Sequence, residues 1–313
     1  MTPRAALLLA LALSCIAVHS NSQLARETAS KRGLERRYLV RFSSRLFQSQ
    51  QAELLRNVSS LTGSRHRYVY RGNSAAKLPS DYGVITTSKS LEELQASLGQ
   101  FPEISGVFVD STLRSLSSVK RAQVYQGSRV VPQLHQRLLQ ATNQSAPRSA
   151  FRVFPNELGR PLHAMGFKGE GIKIAVFDTG LVAQHRHFKN VKERTNWTHE
   201  KTLADLIGHG TFVAGVIASS DETCPGVAPE AELFVFRVFT KDRISYTSWF
   251  LDAFNYAMFL EIDVLNLSIG GPDYLDQPFV DKVNELTASG IIVVSAIGND
   301  GPVFPIADTT MMP

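Results

Sequence analysis

The chain has 313 residues, 43% of them hydrophobic, which is a globular composition with room for about two domains. Its net charge of +5 hides a split: residues 21–150 hold 19 Lys and Arg against 8 Asp and Glu, while residues 151–313 hold 13 against 20. Two halves of opposite sign can attract each other. The arginines of the basic half are scattered through ordinary strand and helix patterns, not gathered in one run, and this argues against a nucleic-acid partner.

In chain order, Arg4 precedes an apolar stretch from Ala5 to Val18, and Val18-His19-Ser20 offers small residues for cleavage. That run is too short to span a bilayer, so residues 1–20 read as a secretory signal peptide and place the chain in the ER and Golgi lumen. No later stretch approaches ~20 apolar residues, so no membrane span is expected here. Residues 21–36 are polar and basic, and are expected to be disordered.

Arg37–Phe42 alternates as a strand does. Gln48–Val58 reads as a helix with Ala52, Leu54 and Leu55 inward. Val84–Thr87 is a short strand. Ser90 and Glu93 form a capping box ahead of a helical face of Leu91, Leu94 and Leu98. Val107–Asp110 is another strand. Residues 37–113 therefore predict a small α/β domain. Residues 114–154, rich in Ser, Gln and Arg, read as a linker open to proteolysis.

From 155 onward strands and helices alternate. Ile172–Phe177, Leu233–Phe239, Val264–Ile269 and Ile291–Ala296 are continuous apolar, β-branched runs of the kind found inside a parallel sheet. Helices are predicted over His209–Ser219, over Ser245–Leu260, and after Asp276, with Pro278 in the first turn and Gly290 at the end. This is an open, doubly wound α/β sheet, in which ligands bind at the carboxyl ends of strands. Asp178, Gly270 and Asn299 fall at such ends.

Asp178 follows a buried strand and opens Asp178-Thr179-Gly180. Thirty-one residues on comes Gly208-His209-Gly210-Thr211, and ninety further comes Gly298-Asn299-Asp300-Gly301. A fixed carboxylate can hold an imidazole in one tautomer and stabilise its charged form, and a turn amide can donate to a developing oxyanion. Gly210 and Gly215 leave room for another backbone to approach the helix. Leu267, Ser268, Ile269 and Gly270 end a strand whose open edge could take an extended peptide as an added strand. Ser268 and Ser295 lie within strands and are poor nucleophiles.

Other residues are less telling. Cys224 is left as a lone thiol once the leader is removed. Asn57, Asn143 and Asn196 begin glycosylation sequons. The glycines of Gly166–Gly171 precede their strand, against a phosphate cradle, and His185 and His187 lack a third metal ligand at suitable spacing. No metal site and no cofactor are evident.

The pair Asp-Thr-Gly and Gly-His-Gly-Thr-x-Val-Ala-Gly, with FKNVKERTNWT (188–198), SYTSWFLDAFNYA (245–257), DVLNLSIGGPD (263–273) and SAIGNDGP (295–302), resembles the subtilase family of serine proteases over most of 165–302. The resemblance implies a subtilisin-like fold for 155–313. It makes Asp178 the orienting acid, His209 the general base and Asn299 the oxyanion donor. Residues 37–113 are similar to a subtilase propeptide, which assists folding and then occupies the cleft, so the chain's own propeptide is an expected partner. Calcium is the one metal the family would bring.

The resemblance further implies cleavage of luminal segments with arginine four residues before the bond and an aliphatic residue two before it. Arg114-Ser115-Leu116-Ser117 and Arg137-Leu138-Leu139-Gln140 match, which marks Ser117, Leu139 and Gln140 as processing positions. The family's Gly-Thr-Ser nucleophile turn and its carboxy-terminal membrane anchor are not found in these residues. A truncated, inactive subtilase is the first expectation. A secreted, non-catalytic inhibitor built on the propeptide-like domain is the alternative.

Overall fold

The computed structural model describes residues 35–63, 65–114, 156–268 and 276–296. They divide into two units, one of residues 35–71 and 79–110 and one of residues 72–78 and 111 onward.

The first unit is a four-stranded antiparallel sheet with two helices. β1 (Arg36–Leu46), β2 (Arg67–Val69), β3 (Ser80–Thr87) and β4 (Ile104–Val109) lie in the order β2-β3-β1-β4. α1 (Gln48–Thr62) and α2 (Leu91–Leu98) follow β1 and β3. The capping box of α2 is present: Ser90 Oγ accepts from Glu93 N at 3.2 Å, and Glu93 Oε2 accepts from Ser90 N at 2.7 Å. The alternation in β1 sends Tyr38, Val40 and Phe42 into a core with Leu55, Val58, Leu94 and Leu98. Among the polar side chains buried in this unit, Gln51 of α1 is fully enclosed. Its Nε2 donates to the carbonyls of Leu46, Ser80 and Tyr82, and its Oε1 accepts from the Tyr68 hydroxyl. These bonds bridge the bulge between Arg41 and Leu46, where the β1–β3 register shifts.

The second unit opens with β5 (Thr112–Arg114) and α3 (Asn156–Ala164). Then follow β6 (Lys173–Asp178), β7 (Val191–Asn196), α4 (His209–Ala218), β8 (Glu232–Arg237), β9 (Ile244–Tyr246), α5 (Thr247–Phe259), β10 (Val264–Leu267), α6 (Gln277–Ala288) and β11 (Ile292–Ser295). The main sheet is wholly parallel in the order β11-β10-β6-β8-β7. Both of its faces are covered. Ala175 and Phe177 of β6 pack with Phe234, Phe236, Phe250, Phe254 and Phe279 under α5 and α6, whereas Val176 packs with Ala214 and Ala218 of α4. The Phe177 and Phe236 rings stack at 4.5 Å.

Several expectations shift in detail. The helix expected from Ser245 starts at Thr247, because Ser245 belongs to β9, which pairs antiparallel with β5. Asp276 caps α6 as expected, its Oδ1 accepting from Phe279 N at 3.4 Å. β7, of sequence VKERTN, has no apolar run; as an edge strand it carries a polar sequence into an otherwise apolar sheet. β10 lies between β6 and β11, and Leu267 O accepts from Ala296 N at 3.0 Å. Leu267 is thus not on an open edge, and it packs into the core. No described helix is long and apolar enough to cross a membrane.

Candidate active site

β6 delivers Asp178 to its carboxyl end, where the side chain is fully buried. The turn that follows grips it, with Thr179 N donating to Oδ1 at 2.7 Å. His209 begins α4 and sets Nδ1 at 2.8 Å from Asp178 Oδ1 and 2.9 Å from Oδ2. A carboxylate oxygen accepts, so Nδ1 carries the hydrogen and Nε2 keeps its lone pair. Among the described residues Nε2 has no hydrogen-bond partner, and the ring is about a quarter exposed. The hydrogen bond to Asp178 holds the imidazole above its ordinary pKa. Burial acts against this, the charges of Asp178 and Asp205 act with it, and Arg243 opposes.

Glycine makes the approach feasible. Gly208, at φ 92°, turns the chain into α4. Gly210 presses against the strand end so closely that a Cβ there would meet Gly180 O at 2.3 Å and Asp178 Cβ at 3.1 Å. Gly210 N donates to Thr179 Oγ1 at 2.9 Å, which ties the two segments together. The same role does not extend to Gly215, which has open space around it. The helix face turned inward is the small-residue one, Gly210, Ala214 and Ala218.

Two groups around the pair carried no motif. Asp205, buried in the loop before α4, accepts from Thr179 Oγ1, from Thr211 Oγ1 and from the amides of Ile207, Gly208 and Thr211. Arg237 pairs in register with Asp178 and is buried with its guanidinium bonded to Asn196, Thr198, the Thr202 carbonyl and Glu200. It thereby fixes the segment that leads to Asp205. A four-residue spacing, Asp205 to His209, is the only trace of the first in the sequence. The second is one cation inside an apolar strand, a charge that is retained in a core only when paired.

Asn299, Ile269 and Gly270 lie outside the described residues, as do Ser117, Leu139, Gln140 and Asn143. Ser268 is buried with its Oγ bonded to Asn266, and Ser295 Oγ donates to its neighbour's carbonyl. Asn57 is exposed on α1, whereas the Asn196 side chain is engaged by Thr198, Glu200 and Arg237. Cys224 is exposed with a free thiol. His187 pairs with Asp221 at 3.2 Å.

Residues 169–313 match the model of the Subtilase family. Over 259 residues the chain is 48% identical to the membrane-bound transcription factor site-1 proteases of Rattus norvegicus and Homo sapiens, an alignment that covers 76% of this chain and 24% of each relative. Over 139 residues it is 65% identical to the subtilisin-like protease SBT6.1 of Arabidopsis thaliana, covering 44% of this chain and 13% of that one. The major intracellular serine protease of Bacillus subtilis is 37% identical over 147 residues, 44% of this chain and 46% of that one. The chain spans about a quarter of the length of the site-1 proteases it matches.

Proposed function

We propose that this chain, whose residues 169–313 match the Subtilase family model, serves a serine endopeptidase, with Asp178, His209 and Asn299 in its active site. The observation that carries the proposal is the 2.8 Å contact of His209 Nδ1 with the buried carboxylate of Asp178. It leaves Nε2 free to take a proton from a serine hydroxyl as that oxygen attacks a peptide carbonyl. Asp178 steadies the imidazolium, which then gives the proton to the leaving amine. Asn299 donates to the oxyanion. Ser268 and the flanking Ile269 and Gly270 receive the substrate backbone.

The substrates are of the site-1 protease kind, luminal segments of membrane-anchored precursors, with arginine four residues before the bond and an aliphatic residue two before it. The 48% identity to those proteases supports this. Residues 37–113 act as a propeptide, released at Ser117 and at Leu139 or Gln140, within the secretory pathway. No nucleophile turn occurs in residues 1–313, so a polypeptide of these residues alone does not hydrolyse peptides. Many subtilases bind calcium, and no step here uses it.

A fluorophosphonate, which labels only activated serines, tests the assignment. The 313-residue polypeptide stays unlabelled. A chimera that continues after Pro313 with the following segment of the rat site-1 protease is labelled, and His209→Ala abolishes the label. A folded chimera that still labels as His209→Ala refutes the assignment.

A further inference from the structure

We propose that Asp205 is a positioning residue for His209, a second acid whose carboxylate clamps the strand end bearing Asp178 to the helix start bearing the base. The inference rests on reading Asp178 and His209 as an acid–base pair. Both oxygens of Asp205 are committed. Oδ1 accepts from Thr179 Oγ1 at 2.8 Å, Ile207 N at 3.0 Å and Gly208 N at 2.8 Å. Oδ2 accepts from Thr211 N at 2.9 Å and Thr211 Oγ1 at 2.7 Å. A simple helix cap would engage only amides of its own first turn. Asp205 reaches further, to the residue after Asp178, and that residue's hydroxyl in turn accepts from Gly210 N. Gly208 and Thr211, which bracket His209, and Thr179, beside Asp178, thus converge on one carboxylate.

Asp205 keeps its charge. Burial pushes its pKa up, but the Thr211 hydroxyl and the amides of Thr211, Gly208 and Ile207 outweigh that and hold it below the usual carboxylate value. A fixed anion at the start of α4 is also favoured by the helix dipole. Three charged groups face His209: Asp178 from β6 and Asp205 from the preceding loop favour the imidazolium, and Arg243, just before β9, disfavours it. Asp205 therefore acts on the base both by placing it and by its field.

The test reads His209 directly on the full 313-residue chain, by NMR titration of its ring Cε1–H. Asp178→Asn serves as the reference for loss of the primary acid. Asp205→Asn keeps the shape and removes the charge, and the His209 midpoint moves down from that of the parent. Thr211→Val deletes one of the five hydrogen bonds and moves it down less, while Thr211→Ser restores it. Should Asp205→Asn fail to melt cooperatively, the Thr211 pair decides. The proposal is overturned if Asp178→Asn lowers the midpoint while Asp205→Asn and Thr211→Val leave it unchanged. If Asp178→Asn also leaves it unchanged, the acid–base pair itself is refuted, a different failure.

Discussion

Gly210 of α4 packs on Gly180, the second residue after Asp178, with no room for a single carbon between them: a Cβ on Gly210 would sit 2.3 Å from the Gly180 carbonyl oxygen. This contact sets the separation of acid and base. Asp178 ends a strand and His209 starts a helix thirty-one residues later, and only where the two backbones touch can a carboxylate and an imidazole meet at 2.8 Å.

Gly210→Ala should therefore push α4 off the strand end. Displacing a reacting group by about 1 Å costs about a hundredfold in rate, and overpacking costs about 1–3 kcal/mol of stability. In the labelled chimera the expected outcome is a fluorophosphonate rate lower by two orders of magnitude. Unchanged labelling would contradict the close-contact account.

The raised pKa of His209 has two consequences of definite sign. The base works only when neutral, so the acid limb of kcat/KM for the chimera should lie above the ordinary histidine value of 6.5. A histidine whose folded pKa exceeds its unfolded one adds stability that is fully present below 6.5 and is lost as pH rises through the folded value. The melting temperature gap between parent and His209→Gln should thus be widest below pH 6.5 and should close at higher pH.

Arg243 opposes the imidazolium through its charge. Arg243→Gln should move that acid limb further up, the opposite of the effect of Asp205→Asn. A kinetic pH profile of the two variants separates the directions.

Arg237 is 1% exposed and binds Glu200, Asn196 and Thr198 from inside the sheet. Arg237→Met removes the cation from the Glu200 carboxylate, which keeps the Lys241 amide, and takes a donor from Asn196 and Thr198; buried polar groups left short of partners cost about 1–3 kcal/mol. Urea unfolding of the second unit should show a loss of that size. Arg237→Lys should recover little of it, because a point charge cannot reach the several acceptors the guanidinium fork serves.

In the first unit, Gln51→Leu removes donors from three carbonyls and an acceptor from the Tyr68 hydroxyl. Unpaired buried polar groups cost about 1–3 kcal/mol each. The unfolding transition of that unit should shift by about 3 kcal/mol, less than the simple sum because the bulge can relax toward water.

How far the sequence foretold this depended on what each element owes to its neighbours. β6, β8, β10 and β11 were plain because both their faces are covered, which demands continuous apolar runs. β7 was invisible, since its polar residues fit an edge strand and carry no periodicity. The last two residues of β9 read as the start of a helix, because three residues become a strand only through a partner 134 positions away, Tyr246 opposite Thr112. Asp178 and His209 announced themselves through the glycines their close approach requires. Asp205 and Arg237 did not, since their roles arise from contacts spread over loops and strands that no local pattern encodes.

The central claim is that the Asp178 carboxylate holds the Nδ1–H tautomer of His209 and leaves Nε2 as the base. The ring 15N shifts of His209, read in the 313-residue chain at a pH where the ring is neutral, measure this directly. A protonated Nδ1 and a pyridine-like Nε2 that loses this preference in Asp178→Asn are the result expected. A proton on Nε2, or a tautomer balance indifferent to Asp178→Asn, would contradict it.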